Sequence, residues 1–266
     1  MSPSSDNRIT DSALAEFEVR LREEGKSNGT VRQYMLHLRT FRDWLDGEEV
    51  TKPRAEAWLQ SLRESGLAPN SLNIRVGAVN SWCLFAGLRF RLKQDALPKQ
   101  AQVPCRTLTR AEYESLRNYA LSEGKPRLAR IMDTLAATGL RISQLPQVTV
   151  EAVQQGTIDA QNGPIPLPPE LRTELLAYAK QAHRTEGPLF VTAHGKPPTR
   201  GQTWTQLKTL ARRAGLNPDK VSPKSFRYLF AREFYQTTTN PAALADALGN
   251  TSVPTVLRYI PSGEKE

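Results

Sequence analysis

Between residues 28 and 45 the sequence reads NGTVRQYMLHLRTFRDWL, with apolar positions at Val31, Tyr34, Met35, Leu38, Phe41, Trp44 and Leu45. This i, i+3, i+4, i+7 spacing predicts one amphipathic helix with a single apolar stripe, and leaves Arg32, Arg39 and Arg42 off the stripe. A second segment, PNSLNIRVGAVNSWCLFAGL, carries Leu72, Val76, Val79, Trp82 and Phe85 at the same spacing, with Asn70 a candidate N-cap. The aromatics of both stripes read as core residues. The first hundred residues are therefore expected to form short packed helices.

The periodicity then stops. RLKQDALPKQAQVPCR, residues 91–106, contains two prolines, several polar residues and no repeat, so it reads as an extended linker. Helical spacing resumes at TLTRAEYESLRNYAL, where Thr109 and Glu112 form a capping box ahead of Tyr113, Leu116 and Tyr119. The boundaries predicted are a helical domain over 1–95, a linker over 96–106 and a second domain over 107–266. Within the second domain, GTIDAQNGPIPLP alternates on either side of QNG, a β-hairpin signal. Helices are expected at PELRTELLAYAKQA, RGQTWTQLKTLARRAG, SPKSFRYLFAREFYQ and NPAALADALG. The fold class predicted is mainly α, with one small β-hairpin in the C-terminal domain.

Composition narrows the setting. The 266 residues suffice for two cored domains, and 39% hydrophobic with 24% charged residues is usual for a soluble chain. No run approaches the roughly 18 apolar residues of a membrane span, and the N-terminus lacks an export signal. A cytoplasmic protein without membrane attachment is expected. Cys83 and Cys105 read as reduced, incidental thiols. His37, His183 and His194 are scattered without metal-ligand spacing, so no metal or other cofactor is expected.

Charge changes the picture more. The net charge is +9, and it is uneven: residues 1–100 hold 15 Lys/Arg against 13 Asp/Glu, residues 101–266 hold 21 against 14. Between Lys196 and Arg232 nine basic residues face one acid, Asp219. A phosphate-rich partner fits that surplus better than a merely solvated face. Arg32, Arg39, Arg75, Lys196, Arg200, Lys208, Arg212 and Arg213 are the candidate contacts to such a partner, though charge alone names no chemistry. Most would meet phosphate.

Three stretches carry candidate chemistry. In AATGLRISQL a helix is expected to end at Gly139, with Arg141 opening the next segment. In SPKSFRYLF, Ser222 suits an N-cap and Pro223 the first helical position, which places Lys224 and Arg227 three apart on the first turn, where the helix dipole favours an anion. In LGNTSVPTVLRYIPSGEKE, Gly249 closes a helix and Pro254 can begin another ending at Arg258 and Tyr259. Each has a plainer reading: a surface arginine, a solvated face, a core tyrosine.

The order Arg141, Lys224-x-x-Arg227, Leu248-Gly249-Asn250 and then Tyr259 nine residues on resembles the tyrosine recombinase, or phage integrase, family. Members carry an arginine in a TGLRxSEL-like segment, a HxxR or KxxR opening a later helix, an LGH or LGW, and a nucleophilic tyrosine. The resemblance extends to SNGTVRQYMLHLRTFRDWL and GLAPNSLNIRVGAVNSW, which look like the two most recognisable helices of the family's core-binding (SAM-like) domain. PLFVTAHGKPPTRGQTWTQLKTLARRAGL is similar to the segment before the second arginine. It implies a two-domain, C-shaped clamp on duplex DNA, with Arg75 and Arg212 as candidates for reading bases, cutting and rejoining without metal through a 3′-phosphotyrosyl intermediate. Arg141 and Arg227 would neutralise the phosphate, Lys224 would assist, Asn250 would donate a hydrogen bond and Tyr259 would attack.

Two departures accompany it. The family's hairpin lysine, which protonates the leaving 5′-hydroxyl, has no counterpart, since no lysine lies between Arg141 and Lys180. Asn250 stands where His or Trp is usual and cannot shuttle a proton. The alternative implied is a family member that binds specific DNA as an accessory protein and cuts poorly. Only IPSGEKE follows Tyr259, with Pro261 and Gly263 opposing a helix. A monomer in solution that forms dimers or tetramers on DNA is therefore expected.

Overall fold

The computed structural model describes residues 7–95, 107–160 and 163–249, together with Val256 and Tyr259. The chain separates into two units, residues 1–100 and 101–266, each with its own buried core. The linker expected over 96–106 lies outside the described residues.

The first unit is built from α1 (Asp11–Glu23), α2 (Asn28–Leu45), α3 (Lys52–Glu64) and α4 (Pro69–Phe85). Ser27 starts α2: its hydroxyl accepts the Thr30 N–H at 3.2 Å, a cap contributing about 1 kcal/mol. The predicted stripe of α2 buries Val31, Met35, Leu38, Phe41 and Leu45 against α1, α3 and α4. Aromatic rings lock the unit. Phe17 meets Trp82 edge-on at 5.4 Å, and Phe41 meets Trp58 at 4.6 Å. Two details differ from the sequence pattern. Trp44 is 43% exposed, because it falls at the edge of the stripe in the last turn. The cap of α4 is Ala68 with Pro69 at the first helical position, so Asn70 lies inside the helix. His37 is buried; desolvation, and then the charge of Arg75, lower its pKa.

The second unit begins with α5 (Arg110–Ser122), whose capping box forms as expected: Thr109 N–H donates to Glu112 at 2.9 Å, and Glu112 N–H donates to the Thr109 hydroxyl at 3.2 Å. Its central element is α6 (Pro126–Thr138), which packs against α5, α8 (Pro169–Gln181), α9 (Arg200–Arg213) and α10 (Pro223–Thr238). Asp133 sits buried on α6. Its carboxylate accepts the Tyr113 hydroxyl at 2.7 Å, Arg117 at 2.8 Å and Arg130 at 2.6 Å. Glu174 of α8 accepts from both arginines, so a closed polar network joins α5, α6 and α8. Breaking such a network from one side typically costs about 3–5 kcal/mol, because an uncompensated charge is left inside.

A 3₁₀ turn over Ile142–Gln147 and a short helix α7 (Val150–Gln155) lead into the hairpin. Neither was legible from periodicity, since six residues are too few to show a stripe. The hairpin pairs β1 (Thr157–Ala160) antiparallel with β2 (Gly163–Pro166), in the register Thr157 to Pro166 and Ala160 to Gly163. A second 3₁₀ turn (Pro218–Lys220) precedes α10, and α11 (Pro241–Ala247) follows it. The helix expected to begin at Pro254 lies mainly outside the described residues. Among the described residues, no helix is long and apolar enough to cross a membrane.

Candidate active site

Three chain segments converge at the C-terminal end of α6. The helix stops at Gly139, which adopts φ +63°, a left-handed conformation open to glycine at no steric cost. Space imposes the same choice. A Cβ at Gly139 would come within 2.5 Å of Phe230 and 2.8 Å of Leu248. Leu140 N–H then donates to the Thr138 hydroxyl at 3.2 Å, and the chain extends through Arg141 at φ −73°, ψ 141°. Gln144, buried, accepts the Arg141 N–H at 3.0 Å and so fixes the backbone from which that guanidinium projects.

The second segment is the start of α10. Ser222 caps it, its hydroxyl accepting the Ser225 N–H at 3.2 Å, and Pro223 takes the first helical position, both as the sequence indicated. Lys224 is exposed, whereas Arg227 is only 6% exposed. One Arg227 nitrogen donates to the Gly139 carbonyl and the other to the Leu248 carbonyl at 2.8 Å. The guanidinium therefore ties the end of α6 to the end of α11. Burial is the main reason its pKa is lowered. A hydrogen bond with Tyr259 opposes that shift, and the nearby charge of Arg141 adds to it. A guanidinium remains charged even so. Two cations thus repel across a shared space, and an anion placed between them would relieve the repulsion.

The third segment supplies Tyr259. Its ring centroid lies 5.9 Å from the Arg227 guanidinium carbon and 4.7 Å from the ring of Tyr228, and its flank packs on the cluster formed by Ala231, Tyr235, Leu244, Leu248 and Val256. The Lys224 ammonium stands 5.2 Å from the Tyr228 centroid. A cavity of about 290 Å³ opens beside these groups, lined by Gly139, Arg141, Arg227, Phe230, Asp246 and Leu248, and on its other wall by Ala160 and Gly163–Pro166 of the hairpin. Arg141, Lys224, Arg227 and Tyr259 are thus gathered in one region, although Arg141 and Tyr259 stand more than a hundred residues apart in sequence. Asn250, and the hairpin tip at 161–162, lie outside the described residues.

The basic candidates are placed unevenly. Arg32 and Arg39 are exposed on α2, while Arg75 is half-buried and donates to the Ser71 carbonyl at 2.9 Å. Lys196 is exposed in a turn where the Thr192 N–H donates to its carbonyl at 2.8 Å. Arg200 opens α9, and Arg212 and Arg213 close it, all three exposed. Lys208 is a correction. It is buried, its ammonium donates to the Pro218 carbonyl and it stands 3.6 Å from Asp219, so it anchors α9 to the following turn instead of offering a charge to solvent. Sequence reasoning also passed over Tyr228 and Gln144. Tyr228 is four residues after Lys224, a spacing that puts the two side chains together on a helix.

Known proteins resemble this chain in sequence and in fold. The model of the "Phage integrase family" matches residues 106–266. The chain is 29% identical over 260 residues to the tyrosine recombinase XerA of Pyrococcus furiosus, covering 92% of this chain and 88% of that protein. It is 26% identical to the tyrosine recombinase XerD of Halalkalibacterium halodurans, covering 89% and 88%. Among solved structures, the Tn1549 transposon integrase in complex with transposon right-end DNA superposes with a TM-score of 0.74 at 17% identity, covering 93% of this chain and 94% of that one. A lambda integrase dimer bound to a COC′ core site gives 0.72 at 18% identity, covering 94% of each. At such identities the structural likeness concerns the fold.

Proposed function

The chain belongs to the phage integrase family, and on that premise we propose that it is a site-specific DNA recombinase that cuts and rejoins duplex DNA through Tyr259. The observation that carries the reading is that Arg141 and Arg227 line one cavity while the Tyr259 ring lies 5.9 Å from the Arg227 guanidinium carbon. A scissile phosphate entering there receives donors from both guanidiniums on its non-bridging oxygens, where charge accumulates in the transition state. The Tyr259 hydroxyl loses its proton and its oxygen bonds to phosphorus. The bond to the 5′-oxygen breaks, and that oxygen takes up a proton to leave as a hydroxyl. Attack by a 5′-hydroxyl on the 3′-phosphotyrosyl link reverses the step and rejoins a strand. Lys224, at the N-terminus of α10, holds the phosphate or moves a proton.

A second reading has a specific observation behind it. The hairpin walls the cavity yet carries no lysine, so a DNA-binding accessory role with weak cleavage remains the alternative. Both readings require DNA. Solved structures of similar fold hold DNA, a lambda integrase as a dimer, which supports assembly of this chain on paired sites; the free chain is proposed to be a monomer. Sedimentation across a salt series reads binding and assembly together. Free protein should run as a monomer and acquire its partners only with duplex. Binding should weaken steeply with salt, with a log–log slope of about −0.9 for each phosphate neutralised. Salt-insensitive binding, or a stable DNA-free tetramer, would contradict the proposal.

A further inference from the structure

Tyr228 has no part in the chemistry above, yet it touches two of its participants. It is half-buried on α10, one residue after Arg227 and four after Lys224. Its ring meets that of Tyr259 at 4.7 Å with a 51° tilt, and the Lys224 ammonium stands 5.2 Å from its centroid. Successive helix residues point about 100° apart. Arg227 therefore turns inward to the Gly139 and Leu248 carbonyls while Tyr228 stays at the rim, and Tyr259 spans the two. Tilted aromatic pairs and cation–ring contacts are weak individually but directional, which is what fixing a side chain's angle requires.

We propose that Tyr228 is a positioning residue for strand cleavage, whose ring sets the plane of the Tyr259 phenol and the place of the Lys224 ammonium against one phosphate. This rests on the reading of Tyr259 as the nucleophile. The role belongs to the ring and not to the hydroxyl, because both contacts are made to the aromatic face or edge. It differs in consequence from a proton-donating role. A misplaced nucleophile slows attack whatever the leaving group, whereas a lost proton donor slows only an oxygen leaving group.

The test is single-turnover cleavage at saturating suicide duplex, with the bridging atom either oxygen or sulfur, by wild type, Tyr228→Phe, Tyr228→Leu and Tyr228→Met. Tyr228→Phe should stay within about threefold of wild type, the ring pair being kept. Both ring-free variants should be slowed about 10- to 100-fold on both substrates alike, as expected for a shift of about 1 Å at the reacting atom. DNA affinity and thermal midpoint should be unchanged. Wild-type rates in the ring-free variants would overturn the proposal. So would a Tyr228→Phe as slow as Tyr228→Leu, or a loss confined to the oxygen-bridged substrate, since either points to the hydroxyl. Collapse of both ring-free variants would mark Tyr228 as structural and overturn it too. A Tyr259→Phe control separates the premise: covalent product from that variant would refute the nucleophile itself, whatever Tyr228 does.

Discussion

Arg227→Lys is expected to lower the rate of strand cleavage about 10²–10³-fold while leaving DNA affinity within a few-fold of wild type. The reason is geometric. Arg227 spends two nitrogens on the Gly139 and Leu248 carbonyls and still faces Tyr259. A planar fork can hold that position and donate to a phosphate; a lysine, with one small ammonium on a flexible stem, cannot do both. DNA affinity changes little because this phosphate is one of many contacted. Arg227→Ala should lose as much or more in rate. It should also lose stability, by about 1–3 kcal/mol for each buried carbonyl left without its donor. Cleavage by Arg227→Lys at the wild-type rate would remove Arg227 from the charge clamp.

The second large effect runs the other way. With no lysine on the hairpin, protonation of the leaving 5′-hydroxyl should be the slow step, and one missing general acid typically costs about 10²–10⁴ in rate. Gln161→Lys or Asn162→Lys places an ammonium at the tip of the hairpin, whose flanking residues Ala160 and Gly163 line the cavity with Arg141. Cleavage of ordinary DNA should rise by about 10²-fold or more. A substrate with bridging sulfur, which departs as a thiolate without needing the proton, should be cut by wild type already and gain little. If wild type cuts ordinary DNA fast and the added lysine changes nothing, another group supplies the proton, and Lys224→Met and Lys196→Met become the variants to compare. If wild type binds both substrates and cuts neither, the accessory reading stands.

Much of this site could be read from local sequence, because caps and turns are local devices. Ser222-Pro223 announced the start of α10, Thr109 with Glu112 announced α5, and the hairpin was written in the residues around its turn. Tertiary partners could not be read that way. Gly139 was legible as a helix end, but not as the place where a Cβ would strike Phe230 and Leu248, which lie far along the chain. Arg227 was legible as a cation on a first turn, but its burial depends on carbonyls from two other segments. Charge misled at Lys208, because a basic residue reads as solvated until its partner is known. Its ammonium is tied to the Pro218 carbonyl, and the enclosure of Asp133 by Tyr113, Arg117 and Arg130 was likewise not written in any local pattern. Tyr228 was hidden differently, as an ordinary aromatic whose neighbours matter more than its own chemistry.

The most direct test of the account is covalent trapping on a nicked suicide duplex built from DNA flanking the gene, followed by denaturing electrophoresis and mapping of the modified peptide. The account predicts a protein–DNA adduct through the phenolic oxygen of Tyr259 at a 3′-phosphate, formed slowly by wild type and absent from Tyr259→Phe, which should bind the same duplex with undiminished affinity. An adduct that persists in Tyr259→Phe, or that maps to another residue, would contradict it.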